Sequence, residues 1–286
     1  KRVIERNNRV EDPIDFELIN FFRKSIDELV SNKIELNIST VDRTVGAILS
    51  GAIAKKYGNK GLPDDTINVS FKGIAGQSFG GYLINGVNLN LEGEANDYVG
   101  KSMNGGRIAI YPNSSTNFDI QGNSIVGNTV LYGATGGSLF AAGAAGERFC
   151  VRNSGALTVV EGVGDHACEY MTGGEVYILG PVGKNLGAGM SGGITYIYNE
   201  NQNLDEQINP EMVFIDEISD RDKIKIRNIV ELHYDLTRSL KAKEILENFD
   251  VEIKSFVRII PKEINRILDL NGINIDDFDF LNPKLN

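Results

Sequence analysis

Near the amino terminus, apolar residues recur at the spacing of one helical face. Leu18, Phe22, Ile26 and Leu29 follow one another at intervals of three or four residues, which predicts an amphipathic helix. Asp15 stands at its start, where a carboxylate caps free backbone amides. We therefore expect a helix that begins at Asp15 and packs its apolar side on a core.

The pattern then alternates between strands and helices. Apolar and polar residues alternate over 34–38 and again over 67–71, as in half-buried strands. Between them, residues 44–57 have helical periodicity, and Gly58 is placed to end that helix in a left-handed conformation. Residues 1–12 are polar and are expected to be an extended lead-in.

Between Gly73 and Tyr198 the chain repeats one phrase, two glycines followed by a short apolar strand. Its instances begin at Gly80-Gly81, Gly105-Gly106, Gly136-Gly137, Gly173-Gly174 and Gly192-Gly193. A second phrase ends strands before a polar turn, at Glu92-Gly93, Gln121-Gly122, Glu161-Gly162 and Leu179-Gly180. Such repeats are typical of stacked units that cannot bury their apolar faces alone.

The repeat predicts a mainly β fold, a parallel β-helix with helical segments on both sides. Short strands are expected over 87–91, 107–111, 129–132, 148–151, 157–160, 175–179 and 194–198. Glycines such as Gly174 and Gly193 would form corners with positive φ, which glycine adopts freely. Hairpin meanders are the alternative, and Asn85-Gly86 favours them locally.

After Tyr198 helical periodicity returns. We predict a short strand over 212–215, helices over 220–238, 241–249 and 262–270, and a loose tail over 276–286. The chain thus divides into an N-terminal lead-in over 1–72 that packs on the solenoid, a glycine-rich part over 73–198, and a C-terminal loop with helices over 199–286.

Composition narrows the classes of function. Twenty-seven of the 32 glycines lie between Gly73 and Gly193, and the net charge is −10, which argues against a nucleic-acid partner. No apolar run approaches the ~20 residues of a membrane span, and no signal peptide is visible. Two cysteines argue against a disulfide framework. The first residue is Lys1 rather than Met, which points to a piece of a longer protein.

Two motifs suggest chemistry. Residues 187–192 match G-x-G-x-x-G, but a strand is predicted after them where a dinucleotide site needs a helix, so we interpret them as turn glycines. His166 and Cys168 are two residues apart, a spacing that places side chains on one face of a strand. They would suit a nucleophile with its base or part of a metal site, or they simply fill a turn. Cys150 is expected to be a buried small hydrophobe.

The acids Glu92, Glu94 and Asp97 form the densest carboxylate cluster of the glycine-rich part. Such a cluster serves acid–base catalysis or holds Ca²⁺, or it bonds the amides of its own turns. His233 lies on a predicted helix and is expected to be half-buried packing. We predict no catalytic, cofactor-binding or metal-binding residue in this chain.

Several long segments resemble one known family, the glycine-rich C-terminal domain (GXGXG type) of the glutamate synthase large (alpha) subunit. They cover nearly the whole chain: 42–51 (DRTVGAILSG), 73–80 (GIAGQSFG), 91–102 (LEGEANDYVGKS), 131–136, 146–149, 152–155, 160–174 (VEGVGDHACEYMTGG), 188–193, 211–213 and 256–261. The resemblance implies a right-handed β-helix with a structural role.

The same resemblance implies where the chemistry is performed. Glutamate synthase converts glutamine, 2-oxoglutarate and a reductant into two glutamates. In that family an N-terminal cysteine hydrolyses glutamine, and a synthase region carries FMN and an iron–sulfur cluster. This chain has none of those parts, so no cofactor is expected in it. We expect a domain of an oxidoreductase that is not an enzyme on its own.

Its expected partners are the amidotransferase and synthase domains of the same polypeptide, and a small NAD(P)H-oxidising subunit or region. Neither nucleic acid nor a membrane is an expected partner, and the expected compartment is the cytoplasm or, in a eukaryote, an organelle. Two other functions stay open: a stand-alone subunit similar to the formylmethanofuran dehydrogenase C subunit, and a carbohydrate-active enzyme that uses Glu92, Glu94 and Asp97.

Overall fold

The computed structural model describes residues 12–113, 123–200 and 204–281. The strands are β1 (Asn32–Ile38), β2 (Ile67–Ala75), β3 (Val87–Ala95), β4 (Asn104–Tyr111), β5 (Ser124–Val126), β6 (Gly136–Ala141), β7 (Ala144–Ala145), β8 (Ser154–Val160), β9 (Thr172–Ile178), β10 (Gly192–Tyr198), β11 (Val213–Glu217) and β12 (Phe256–Pro261). The helices are α1 (Ile14–Phe21), α2 (Arg23–Glu28), α3 (Ala47–Tyr57), α4 (Asp220–Thr237), α5 (Leu240–Glu247), α6 (Phe249–Glu252) and α7 (Lys262–Leu270).

The strands form one mostly parallel sheet. Its order is β1-β2-β3-β4-β6-β8-β9-β10-β12-β11, and every pair from β1 to β10 along this path is parallel. The last two strands reverse direction, since β12 pairs antiparallel with β10 and β11 antiparallel with β12. Off the path, β5 pairs with β3 and with β7. Neighbouring strands are therefore mostly neighbours in sequence.

The predicted right-handed parallel β-helix, and with it the mainly β class, is wrong. The described residues form a twelve-stranded sheet that does not close on itself, with seven helices, which is an α/β arrangement. A single-stranded solenoid needs strands on all its faces, whereas most residues between the sheet strands are turns. The hairpin alternative also fails at Asn85-Gly86, because the strand that follows is parallel to both of its neighbours.

The connections between strands form what we call the turn stack. In six successive turns, alternate residues have positive φ: 78, 80 and 82; 98, 100 and 102; 129, 131 and 133; 148, 150 and 152; 166, 168 and 170; 185, 187 and 189. The amide of the first residue in each of the first five turns donates to a carbonyl of the next turn, as from Arg148 to Asp165 at 2.9 Å. The turns are thus layers joined by backbone hydrogen bonds. The strands predicted over 129–132 and 148–151 lie here and are wrong.

Four of the five glycine pairs lie at the starts of strands rather than at corners, and the fifth, Gly80-Gly81, lies in the turn stack. The second glycine of the phrase has positive φ at Gly106, Gly137, Gly174 and Gly193. The register of pairing shifts at these points, for example between Gly192 and Ile194, which is the signature of a bulge. Positive φ was correctly predicted for Gly174 and Gly193, but the glycines form bulges in β9 and β10.

Two apolar cores lie on opposite faces of the sheet. The larger one joins the sheet to the turn stack and to α1–α3, with Leu49, Phe79 and Phe149 fully buried in it. The second lies under α4–α7 and contains the stacked rings of Tyr177 and Tyr196, whose centroids are 4.9 Å apart. The carboxyl-terminal half of the sheet is therefore covered on both faces.

Asp15 is buried and caps a helix other than its own. Its carboxylate accepts hydrogen bonds from the amides of Gly46 at 3.0 Å and Leu49 at 2.9 Å, at the start of α3. Burial raises the pKa of this carboxyl, against the backbone hydrogen bonds that lower it. The helix predicted to start at Asp15 exists, but it ends at Phe21 and α2 continues from Arg23. The predicted cap was assigned to the wrong helix.

A partly buried ion network connects the C-terminal elements. The Arg258 guanidinium of β12 contacts Asp216 of β11 and Asp222 of α4, each at 2.8 Å, and Asp276. Tyr196 donates from its hydroxyl to the same Asp222 at 2.6 Å. Charge-assisted bonds of this kind fix orientation, so α4 is held in register with the antiparallel edge of the sheet.

Other predicted elements can be compared with the structure. The strands over 34–38 and 67–71 and the helices over 44–57, 220–238 and 262–270 are confirmed as β1, β2, α3, α4 and α7, with ends that differ by up to a few residues. The strand β12 was not predicted. The extended lead-in over 1–12 lies outside the described residues except for Asp12, and Gln121-Gly122 lies outside them as well. The tail predicted to be loose over 276–286 is described as far as residue 281, and that part is packed, because Asp276 contacts Arg258 and Phe280 is buried. The division at residues 72 and 198 stays a prediction. No helix within the described ranges has the length and apolarity needed to cross a membrane.

Candidate functional site

The turn stack separates His166 from Cys168. Both residues have positive φ, at 65° and 58°, and in this conformation the alternation that places i and i+2 on one face of a strand does not apply. The His166 side chain is 41% exposed, with Nδ1 3.0 Å from Glu169 Oε1 and 3.2 Å from Asn185 Nδ2. Cys168 is fully buried, with Sγ 3.5 Å from Thr195 Oγ1. The pair is not arranged as a nucleophile and its base.

The two cysteines are buried thiols. Burial raises the pKa of the Cys168 thiol to about 12. Burial, with a smaller contribution from Cys168, raises the pKa of Cys150 well above its ordinary value. Because the thiolate is the nucleophile and the metal ligand, neither residue is poised for catalysis or for an iron–sulfur cluster. Cys150 packs as the small buried hydrophobe that its neighbours in the sequence predict.

Asp97 bonds the backbone of the next turn. Its Oδ1 accepts from the amide of Asn128 at 2.8 Å, and Asn128 Oδ1 accepts in turn from the amide of Glu147 at 2.8 Å. Asp165 makes the same contact two turns after Asn128, with the amide of Lys184 at 2.8 Å. These side chains extend the hydrogen bonding between layers, as expected for acids at turns.

Glu92 and Glu94 lie apart from that ladder, beside an open groove of about 520 Å³. Its lining residues are Gly73, Ile74, Glu92, Gly93, Glu94, Pro112, Asn113, Asn123, Ser124 and Ile125. Glu92 is 3.8 Å from the Lys72 ammonium. The structure thus brings two of the three predicted acids together and places the third elsewhere. Within residues 12–113, 123–200 and 204–281, no group of three or more His, Cys, Asp or Glu side chains is arranged to hold a metal ion.

His233 is more deeply buried than expected. It is fully buried, stacks on Phe140 with ring centroids 6.1 Å apart, and places Nε2 3.2 Å from Glu161 Oε1. Ser239 Oγ donates to the same carboxylate oxygen. Glu161, from the second sequence phrase, therefore joins α4 and α5 to the end of β8 by hydrogen bonds.

The G-x-G-x-x-G segment is a turn followed by a strand. Gly187 and Gly189 have φ of 76° and 69°, and Gly192 begins β10. A Cβ at position 189 would lie 2.4 Å from the ring of Tyr170. No helix amino end follows to hold a pyrophosphate, so the interpretation as turn glycines is confirmed.

The outer side of the turn stack was not singled out in the sequence. We call it the turn face, and it presents Tyr82, Tyr98, Lys101, Tyr132, Arg148, Arg152, His166, Glu169 and Tyr170. Six of these residues adopt positive φ, which costs about 1 kcal/mol or more in a residue other than glycine. The signal available in the sequence was the spacing of tyrosines and basic residues among the glycine phrases. This spacing can be interpreted as a surface only once the turns are known to stack.

The comparison with known families decides the assignment. The GXGXG motif family matches residues 15–262, most of the chain. The chain belongs to this family. It is 47% identical over 268 residues to glutamate synthase (NADH) of Schizosaccharomyces pombe, covering 93% of this chain and 13% of that protein.

Further relatives carry similar names. The chain is 50% identical over 232 residues to ferredoxin-dependent glutamate synthase 2 of Synechocystis, covering 81% of this chain and 15% of the relative. It is 41% identical over 266 residues to the glutamate synthase (NADPH) large chain of Bacillus subtilis, covering 92% of this chain and 18% of the relative. The resemblance to glutamate synthases is confirmed, and the chain spans less than a fifth of the length of these relatives.

Proposed function

We propose that this chain is a structural domain of a glutamate synthase, which converts glutamine, 2-oxoglutarate and a reductant into two glutamates. The main support for this proposal is the similarity to glutamate synthases along most of the chain, at 41% to 50% identity in the relatives above. In this proposal the domain holds the amidotransferase and synthase regions in register and takes no part in bond making.

The geometry supports a structural role. The sheet and the turn stack are joined layer by layer through backbone hydrogen bonds, which makes a stiff body. The candidate nucleophile Cys168 is fully buried with a pKa raised to about 12. FMN and an iron–sulfur cluster would be bound by other regions of the parent enzyme, since this chain has only two cysteines and both are buried.

Partners and compartment follow from the same proposal. The domain would contact the amidotransferase and synthase regions of its own polypeptide, and a small NAD(P)H-oxidising subunit or region where that is the reductant. It would reside in the cytoplasm or in an organelle.

Peptide mass spectrometry tests the parentage. An antibody against this chain captures the native polypeptide from cells, and its tryptic peptides are sequenced. Peptides from an amidotransferase and a synthase region in one large polypeptide are the expected result. A native protein of this size alone would contradict the proposal and leave the separate subunit or the carbohydrate-active enzyme, which the co-captured proteins and a polysaccharide cleavage assay would separate.

A coupling assay tests the structural role itself. In the native polypeptide, a destabilising change such as Gly174→Ala should raise the ratio of glutamine hydrolysed to glutamate formed. The reason is that released ammonia escapes when the amidotransferase and synthase regions are no longer held in their relative positions. The control is Gly51→Ala, at a helix position where a Cβ meets nothing within 4 Å. An unchanged ratio in a Gly174→Ala enzyme whose domain is shown to be disrupted would refute the role.

A further inference from the structure

The turn face is an exposed aromatic surface on a rigid backbone. Tyr82 and Tyr170 are 54% and 53% exposed, and Tyr98 is 37% exposed. Tyr98 also packs edge-on against Tyr132, with centroids 6.4 Å apart. Tyrosine is enriched where interfaces concentrate their binding energy, since it offers a large contact area with little conformational entropy to lose.

Two cations of this face have no carboxylate partner among the described residues. Lys101 Nζ lies 5.5 Å from the centroid of the Tyr98 ring, and Arg152 Cζ lies 5.9 Å from that of Tyr170. Arg148, by contrast, pairs with Glu169 at 3.0 Å. The residues that define the face include three cations and one carboxylate in a chain of net charge −10, while the acids Asp97, Glu147 and Asp165 lie at the starts of the same turns. Lys101 and Arg152 are therefore available to pair with carboxylates from outside the described residues.

The left-handed conformation of these turns does not require large side chains. Tyr82, Arg152 and Tyr170 occupy the third position of their turns with φ of 58°, 56° and 54°, and the same position holds Gly133 and Gly189 in other turns. Glycine adopts this conformation without strain. Large half-exposed side chains at strained positions therefore point to a contact outside the described chain.

We infer that the turn face docks on an acidic surface of a neighbouring region of the same polypeptide, whose Asp or Glu side chains pair with Lys101 and Arg152 while the tyrosines form the apolar centre. This inference rests on the proposed function, because it needs the rest of a glutamate synthase. The rigid backbone supports such docking, since a preorganised face loses little entropy on binding.

Amine footprinting tests it. The native polypeptide and the isolated 286-residue chain are treated briefly with acetic anhydride, and the acetylation rate of each lysine is read by mass spectrometry. Lys101 should react at least tenfold more slowly in the native polypeptide. The reference is Lys24 of α2, 75% exposed and far from the turn face in sequence. Its rate normalises the two reactions.

A charge reversal supplies the second arm. Arg152→Glu in the native polypeptide should return the Lys101 rate to that of the isolated chain, because repulsion opens the docked face. The matched control is Lys243→Glu on α5, a residue 53% exposed that pairs with Glu247, which should leave Lys101 protected. Thermal unfolding of the isolated variants verifies that both remain folded.

The outcomes separate the two proposals. Equal Lys101 rates in the native polypeptide and the isolated chain, with glutamate formed normally, would overturn the docking inference and leave the proposed function intact. Protection that disappears on nuclease treatment would also overturn it, because the occupant would then be a nucleic acid. A native polypeptide that forms no glutamate from glutamine and 2-oxoglutarate, whatever the Lys101 rates, would overturn the proposed function instead.

Discussion

The substitution Gly174→Ala probes the bulge that starts β9. Gly174 has φ of 91°, and a Cβ there would lie 2.5 Å from the carbonyl oxygen of Ala156 and 2.8 Å from Asn153 Nδ2. Asn153 is fully buried and brackets Ala156, because Nδ2 donates to its carbonyl at 3.0 Å and Oδ1 accepts from its amide at 2.9 Å. One methyl group would therefore displace backbone and a buried hydrogen-bonded amide together.

The magnitude follows from these two effects. Positive φ costs a residue with a side chain about 1 to 2 kcal/mol, and the displaced buried hydrogen bonds cost about 1 to 3 kcal/mol. We expect a loss of about 2 to 5 kcal/mol in the free energy of unfolding, which reaches the range of severe single substitutions. For a chain of this size that lowers Tm by roughly 10 °C.

Urea and thermal denaturation, followed by circular dichroism, measure the change. Gly51→Ala is the matched control, since position 51 lies within α3 with nothing within 4 Å of a Cβ. It should stabilise the protein by about 0.5 to 1 kcal/mol, the helix preference of alanine over glycine. A Gly174→Ala protein with the midpoint of the parent would refute the assignment of a strained, tightly packed bulge.

Two further substitutions and one reagent test other parts of the structure. Asp15→Ala should cost about 2 kcal/mol in urea denaturation, because it leaves the amides of Gly46 and Leu49 unpaired, whereas Asp15→Asn keeps an acceptor and should cost less. The stability contributed by protonated Asp15 is present below its ordinary pKa of 3.8 and is lost as pH rises through its raised pKa. The Asp15→Asn protein should therefore lack this decrease in the free energy of unfolding with rising pH. An identical dependence of stability on pH in both proteins would contradict the buried carboxylate. At pH 8 the thiolate fraction of Cys168 should be about 1,000-fold below that of an ordinary thiol, since its pKa rises from 9.0 to about 12, and a thiol reagent should titrate both cysteines rapidly only in denaturant; rapid native labelling would contradict this.

Local sequence patterns predicted the helices and most of the strands well. α7 was predicted with the bounds Lys262–Leu270 that the structure has, because Pro261 precedes an amphipathic run of strong hydrophobic periodicity. The strands β1 and β2 followed from simple alternation. The family was also readable, since motifs of ten residues or more are specific. These features depend on neighbours a few residues apart.

The candidate site was less predictable. His166 and Cys168 were expected to share one face, on the assumption that they lie in a strand. In the structure both residues have positive φ, and the His166 side chain points outward whereas Cys168 lies in the core. Glu161 was visible only as the end of a strand, yet it contacts His233 72 residues away. Local spacing carries no information about either contact.

Patterns in the sequence sufficed to predict the helices, most of the strands, the positions where glycine permits positive φ, and the relationship to glutamate synthases. The three-dimensional packing was needed to establish that residues 129–132 and 148–151 are stacked turns, that the sheet stays open, and that Asp15 caps α3. Short apolar segments between glycines are compatible with a strand or a turn. Whether such a segment becomes a strand or a turn depends on which backbone groups of the next layer lie within hydrogen-bonding distance, because the amides of each layer must pair with carbonyls of a neighbouring layer.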